Sequence, residues 1–191
     1  MTKNEIIDYF NNVLTYRSRT SYKYYFLKAI MFLGIKKDTI RFKDIGLEML
    51  VQSWNDLSEE KFSFRKLDKL KDFKISLIKK YSLPEFSTES DIRKKLLSFE
   101  DLKIDQISYE LTAYCPYLLL SYGQWDNQLK GIVNYHIRHK LIQEFSQNES
   151  CLYEIYDGYL ILNSEYFDII RNNLDDFNQT VNDRLKEHLI K

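Results

Sequence analysis

The feature that most constrains this chain is Asp157-Gly158, set between the β-rich runs Leu152-Tyr153-Glu154-Ile155-Tyr156 and Tyr159-Leu160-Ile161-Leu162. Asp-Gly favours the tight turn whose twist matches paired strands, so the spacing predicts a β-hairpin over about 152–162 with a type I′ turn. Almost everywhere else apolar residues recur every three or four positions, the period of an amphipathic helix. The fold class that follows is mainly α: a multi-helix domain with one β-hairpin before a long C-terminal helix.

Thr2-Lys3-Asn4-Glu5 has capping-box form ahead of Ile6, Phe10, Val13 and Leu14, predicting a first helix to about Thr15. Thr20 or Ser21 caps a second helix carrying Tyr22, Tyr25, Phe26, Ile30 and Leu33, ended by Gly34 in a left-handed cap. The stretch 39–42 is β-prone but short. Ile45, Met49, Leu50, Trp54 and Leu57 predict a third helix, and 64–81 a fourth that stops before Pro84. Helices over about 92–99 and 104–114 follow, and Pro116 opens a short buried helix ending near Gly123. Asp126 or Asn127 caps the next, with Leu129, Ile132, Val133, Ile137 and Leu141 running to about Phe145. Asn163 or Ser164 caps a final helix over about 164–190 along the stripe Phe167, Ile170, Leu174, Phe177, Val181, Leu185 and Leu189. No repeat or linker divides the 191 residues, a length that suits one domain over 1–191.

Composition then narrows the class. The 44% hydrophobic and 29% charged content can bury a core and carries no disorder signature. Cys115 and Cys151 are far apart and form no CxxC pair, so they imply neither a zinc knuckle nor a disulfide framework. A reducing compartment and a cytoplasmic location are expected, with no apolar run of the ~18 residues that span a bilayer, hence no membrane partner. Lys and Arg number 21 against 15 acids over residues 1–103, and 7 against 13 over 104–191. The two halves either attract each other or present faces of opposite sign to different partners.

The segment 61–80 holds eight Lys/Arg and two acids, Asp68 and Asp72, interleaved with Phe62, Phe64 and Phe73. At ~100° per residue, Arg65, Lys66, Lys69, Lys79 and Lys80 project to one side and form a candidate phosphate contact. Asp68 and Asp72 share that side and partly neutralise it; the plain alternative is a solvated helix face. Arg17, Arg19, Lys23 and Lys28 beside the tyrosines of the second helix form another basic-aromatic candidate, set against core aromatics flanked by surface lysines. Arg138, His139 and Lys140 form a third candidate backbone-contacting cluster. His136 and His139 lack a third ligand at metal spacing, so no metal and no cofactor are expected; His136 reads as a core histidine and His139 as a surface one. Cys115 reads as a buried thiol rather than a nucleophile. The sequence carries no phosphate loop, nucleophile elbow or acidic metal cluster.

Ser21-Tyr22-Lys23-Tyr24-Tyr25-Phe26, then Ile40-Arg41-Phe42-Lys43-Asp44-Ile45, then Glu48-Met49-Leu50 with Trp54, resemble the N-terminal region of bacterial HNH endonuclease-domain proteins. Phe64 with Asp68-Lys69-Leu70, and Tyr159-Leu160-Ile161-Leu162-Asn163 before Glu165-Tyr166-Phe167, continue the likeness over roughly residues 20–170. In such proteins a helical region precedes a ββα nuclease module with a His general base and a divalent metal. The present sequence has no His-Asn-His set, and neither Asp157 nor Glu165 is matched by a histidine. The resemblance therefore implies the non-catalytic half: a shortened nuclease, one that lost its module, or one subunit of a split system. Its partners would be DNA, a nuclease or other protein subunit, or further copies of itself, in a bacterial defence or mobile-element setting. A protein-interaction or oligomerisation subunit using aromatics and the acidic half is the second reading. A metal-dependent nuclease with a site at Trp125, His136 and His139 is the third.

Overall fold

A computed structural model describes residues 2–15, 21–59, 62–64, 68–123, 125 and 127–190. The chain is mainly helical. Helix α1 (Lys3–Thr15) buries Ile6, Phe10, Val13 and Leu14. Its capping box closes in both directions: the Glu5 amide donates to Thr2 Oγ1 and the Thr2 amide donates to Glu5.

Helix α2 (Tyr22–Gly34) is hydrophobic nearly all round and is buried accordingly, with Tyr24 through Leu27 and Ala29 through Met31 in the core. Two expectations change here. Ser21 makes no side-chain cap; its hydroxyl and amide donate to the Asp68 carboxylate at 2.5 and 2.8 Å. Gly34 stays within the helix rather than in a left-handed cap. A Cβ there would come within 2.8 Å of both Leu162 and the Phe167 ring, so the glycine is a packing requirement.

Strand β1 (Thr39–Arg41) enlarges the expected hairpin into a three-stranded antiparallel sheet. The hairpin strands are β2 (Tyr153–Tyr156) and β3 (Tyr159–Leu162), in the order β1-β3-β2. The short 39–42 run forms a strand because Ile40 pairs with Leu160 and both are fully buried. Gly158 takes φ +82°, but Asp157 does not share the positive φ that a type I′ turn demands at both central residues. The turn thus needs glycine at its second central position alone, as a type II turn does.

Helix α3 (Phe42–Ser53) follows β1 directly and packs on α2 and on α6 (Ile104–Thr112). Beyond it come a 3₁₀ turn (Asp56–Ser58), α4 (Leu70–Tyr81), α5 (Glu89–Ser98), α7 (Cys115–Gly123) and α8 (Tyr135–Asn148). Helix α4 begins at Leu70 rather than near residue 64. Lys74 on it is 2% exposed, and its ammonium is satisfied by the Trp54 and Glu85 carbonyls and the Ser58 hydroxyl. The helix expected from Asp126 starts only at Tyr135. Gly131 takes φ +86° upstream, and the Asn134 side chain accepts from the amides of His136 and Ile137, fixing the later start.

The long C-terminal segment is helical but divided into α9 (Ser164–Asn172) and α10 (Leu174–Leu189) at Asn173, whose φ/ψ of −134°/34° is not helical. One core cluster runs through these elements; in it Phe10 meets Phe177 edge-on at 5.4 Å and Phe26 lies 6.0 Å from Tyr153. Among the described residues no helix is long and apolar enough to cross a membrane.

Candidate functional site: a tyrosine and histidine cleft

A cleft of about 570 Å³ opens where four parts of the chain converge. That size falls within the ~300–1,000 Å³ range of ligand sites. Asp105, Ser108, Tyr109 and Thr112 come from α6, at spacings that put them on one helix face. Tyr135, His136, His139 and Gln143 come from one side of α8, with Tyr114 and Tyr117 between the two helices. The remaining walls are Arg41, Phe42 and Lys43 at the β1–α3 junction and Tyr156, Asp157 and Gly158 at the hairpin turn.

Hydrogen bonds hold these walls to one another. Ser108 Oγ donates to the Lys43 carbonyl at 3.0 Å, and the Phe42 amide donates to the Gly158 carbonyl at 2.9 Å. Ser146 Oγ accepts from the Ile155 amide and the Gln147 side chain donates to the Ile155 carbonyl, tying α8 to β2. Tyr153 donates its hydroxyl to the Pro116 carbonyl at 2.8 Å, which anchors the start of α7 on the sheet.

The His139 imidazole lies flat on Tyr117, ring centroids 3.9 Å apart and planes 6° apart. Tyr114 and Tyr135 stand nearly perpendicular to it, each 5.7 Å away. Tyr135 also contacts His136 at 3.8 Å. Burial, with the nearby His136 and Arg138, pushes the His139 pKa below the ordinary imidazole value. Burial, with Asp157 nearby, pushes the Tyr117 phenol up. Tyr109, Tyr114 and Tyr135 remain 75%, 53% and 49% exposed, an unusual amount of aromatic surface to leave in water around one concavity.

The histidine assignment reverses. His139 is half-buried against tyrosines, whereas His136 is exposed, because α8 begins at Tyr135 and its inward stripe is Ile142 and Ser146 with Leu141 and Phe145. Trp125 does not line the cleft; it is buried, and its indole donates to Glu149 at 2.7 Å. Among the described residues no group of three or more His, Cys, Asp or Glu could hold a metal ion.

Of the other candidates, Arg17, Arg19, Arg65 and Lys66 lie outside the described residues. Lys23 faces inward: its ammonium donates to the Val13 carbonyl at 2.8 Å, and burial lowers its pKa to about 8. Lys69, just before α4, pairs with Asp72 at 3.7 Å; on α4, Lys80 pairs with Asp101 at 2.7 Å and Lys79 is exposed. Asp68, read as a partner for that basic face, is instead buried against Ser21. Arg138 and Lys140 flank His139 on α8, with Arg138 donating to the Leu129 carbonyl at 3.3 Å. Of the candidate site residues, His136 and His139 line the cleft.

Sequence reasoning missed Tyr109, Tyr114, Tyr117 and Tyr135, and with them Arg41 and Lys43. The total of 15 tyrosines and the local Tyr114-Cys115-Pro116-Tyr117 and Tyr135-His136 pairs were the available signals. Comparison with protein-family models, with curated proteins and with solved structures finds no match for this chain.

Proposed function

We propose that this chain is a non-catalytic nucleic-acid-engaging domain whose contact surface is the tyrosine and histidine cleft. The observation that carries the reading is the parallel stack of His139 on Tyr117, walled by Tyr114 and Tyr135, because rings arranged this way accept further planar rings. Lys43 lines the same cleft, is exposed and makes no ion pair among the described residues; Arg41 lines it too, exposed although its guanidinium also reaches Asp44 at 3.3 Å, and Lys140 is exposed on α8. These cations supply the sequence-independent attraction for phosphates. The resemblance to HNH endonuclease-domain proteins agrees with a recognition role in a nuclease-type system, and the chemistry would belong to another module or subunit.

The test is fluorescence anisotropy of labelled DNA against the whole chain at increasing salt. Binding is expected with a log–log salt slope of roughly −2, for about three phosphates met by Arg41, Lys43 and Lys140 on a single strand. Lys43→Glu should weaken it severalfold. Absent binding, or binding indifferent to both Lys43→Glu and Tyr114→Ala, overturns the reading. A partner-protein reading has one observation in its favour: Val133, just before α8, and Ile137, on it, are 94% and 54% exposed.

A further inference from the structure

We infer that the cleft takes one unpaired base bearing an exocyclic amino group, so that the domain recognises single-stranded or locally opened nucleic acid rather than uniform duplex. The inference rests on the nucleic-acid reading above and adds to it the form of the ligand.

Three observations lead to it. The walls come from α6, α8 and the hairpin turn and enclose a concavity, which admits a ring presented edge-first but not the stacked face of a duplex. The cleft already holds one planar ring contact, His139 flat on Tyr117, and Tyr109 and Tyr135 line the same cleft with exposed rings. A base that stacks on such rings must first leave the helical stack, where neighbouring bases cover both of its faces, and swinging it out into a cleft breaks its pairing too.

The third observation is the charge pattern. Asp105 from α6 and Asp157 from the hairpin turn place carboxylates in the same cleft as Lys43, and neither acid makes an ion pair among the described residues. A site for phosphate alone would not carry them, since like charges repel. A nucleotide satisfies both signs: its phosphate meets the cation and an amino group donates to a carboxylate. Adenine, cytosine and guanine have such an amino group, whereas thymine and uracil do not. The Gln143 amide also lines the cleft and makes no side-chain hydrogen bond among the described residues, which leaves it free to read a base edge.

The experiment uses the full chain with three DNA probes: a single strand carrying one 2-aminopurine, the fully paired duplex of the same sequence, and that duplex with the 2-aminopurine bulged out. Stacking is expected to quench the fluorescence severalfold for the single strand and the bulge, and not for the paired duplex. Tyr109→Ala should abolish the quench and Tyr109→Phe should keep it; Tyr109 is mostly exposed, so neither change threatens the fold. Adenine and cytosine homopolymers should bind severalfold more tightly than thymine homopolymers, with the difference shrinking in Asp105→Asn. Tight binding without quench, equal affinity for paired duplex, or an unchanged preference in Asp105→Asn overturns this inference while leaving the broader reading standing. No binding to any probe overturns both.

Discussion

Replacing Gly46 with alanine would place a methyl carbon 2.4 Å from the Cα of Ser108 and 2.4 Å from its Oγ, where ordinary contact begins near 3.4 Å. Because the nearest atom is backbone, no rotamer change relieves the clash, and α6 must retreat from α3 by about 1 Å. Overpacking of this kind costs ~1–3 kcal/mol, and a backbone target sits at the upper end. Alanine recovers about 1 kcal/mol through helix propensity. The net expectation is a loss of about 2 kcal/mol, or a fall in Tm of roughly 4–8 °C for a chain of this length. Urea denaturation followed by far-UV circular dichroism measures it, with an unchanged m-value. The cleft should respond too, since α6 carries Asp105, Ser108 and Tyr109, so the near-UV tyrosine signal should change. Gly34→Ala is the comparison: its clashes, at 2.8 Å, are with the side chains of Leu162 and Phe167 rather than with backbone, so it should cost less than Gly46→Ala. A Gly46→Ala protein as stable as the parent, or more stable, would refute the close α3–α6 approach.

Alkaline titration should show a rise and then a fall. Burial holds Lys23 and Lys74 at about 8 against an ordinary 10.5, so between these values the folded chain binds fewer protons than the unfolded one and stability rises with pH. Burial raises Cys151 to about 12 and also raises Cys115, Tyr9, Tyr24, Tyr25 and Tyr153; these keep protons when folded that the unfolded chain releases above pH 9 for thiols and 10 for phenols. The urea midpoint should therefore climb from pH 7.5 to about 9 and drop steeply above 10; a flat profile would contradict the buried placement of these groups. Arg93→Met should cost about 3 kcal/mol in chemical denaturation, because it removes the cation that holds the 2%-exposed Glu48 bidentately at 2.7 and 2.9 Å and leaves that carboxylate the neutral Gln52 amide at 3.0 Å. Lys74→Met should lose ~1–3 kcal/mol by taking the ammonium donor from the Trp54 carbonyl and leaving the Glu85 carbonyl the longer 3.3 Å bond from Ser58, and a stabilised variant would mean that the lysine's desolvation outweighs those bonds.

Much of the fold was legible because it rests on local signals. The Thr2–Glu5 box, Pro116 at the start of α7, the Asn163 cap and the 157–158 turn each act within a few residues, and each element formed near its expected place. Expectations failed where distant residues decide the outcome. Nothing near Gly34 announces that Leu162 and Phe167 will press on it, and nothing near Thr39 announces that β3 will pair with it. Apolar spacing runs on through Ile132 and Val133, whereas the positive φ at Gly131 and the Asn134 cap start α8 only at Tyr135, and Val133 is 94% exposed rather than part of a buried stripe. The cleft was the least legible part. Nothing in the local spacing of Tyr109, Tyr114 and Tyr135 marks them as neighbours; only the meeting of four separate segments brings them around one cavity.

The chain has three histidines, which makes the central claim testable in a single spectrum. His136 and His139 line the cleft, while His188 lies on α10 with its ring 5.1 Å from Tyr24. The ¹H–¹³C spectrum of the imidazole rings, recorded as a short single-stranded oligonucleotide is added, reports on both places at once. The account predicts that the His136 and His139 signals move together and saturably while His188 stays still. Movement of His188 alone, or no movement of the cleft histidines while the oligonucleotide is bound, would place the recognition surface elsewhere and contradict it.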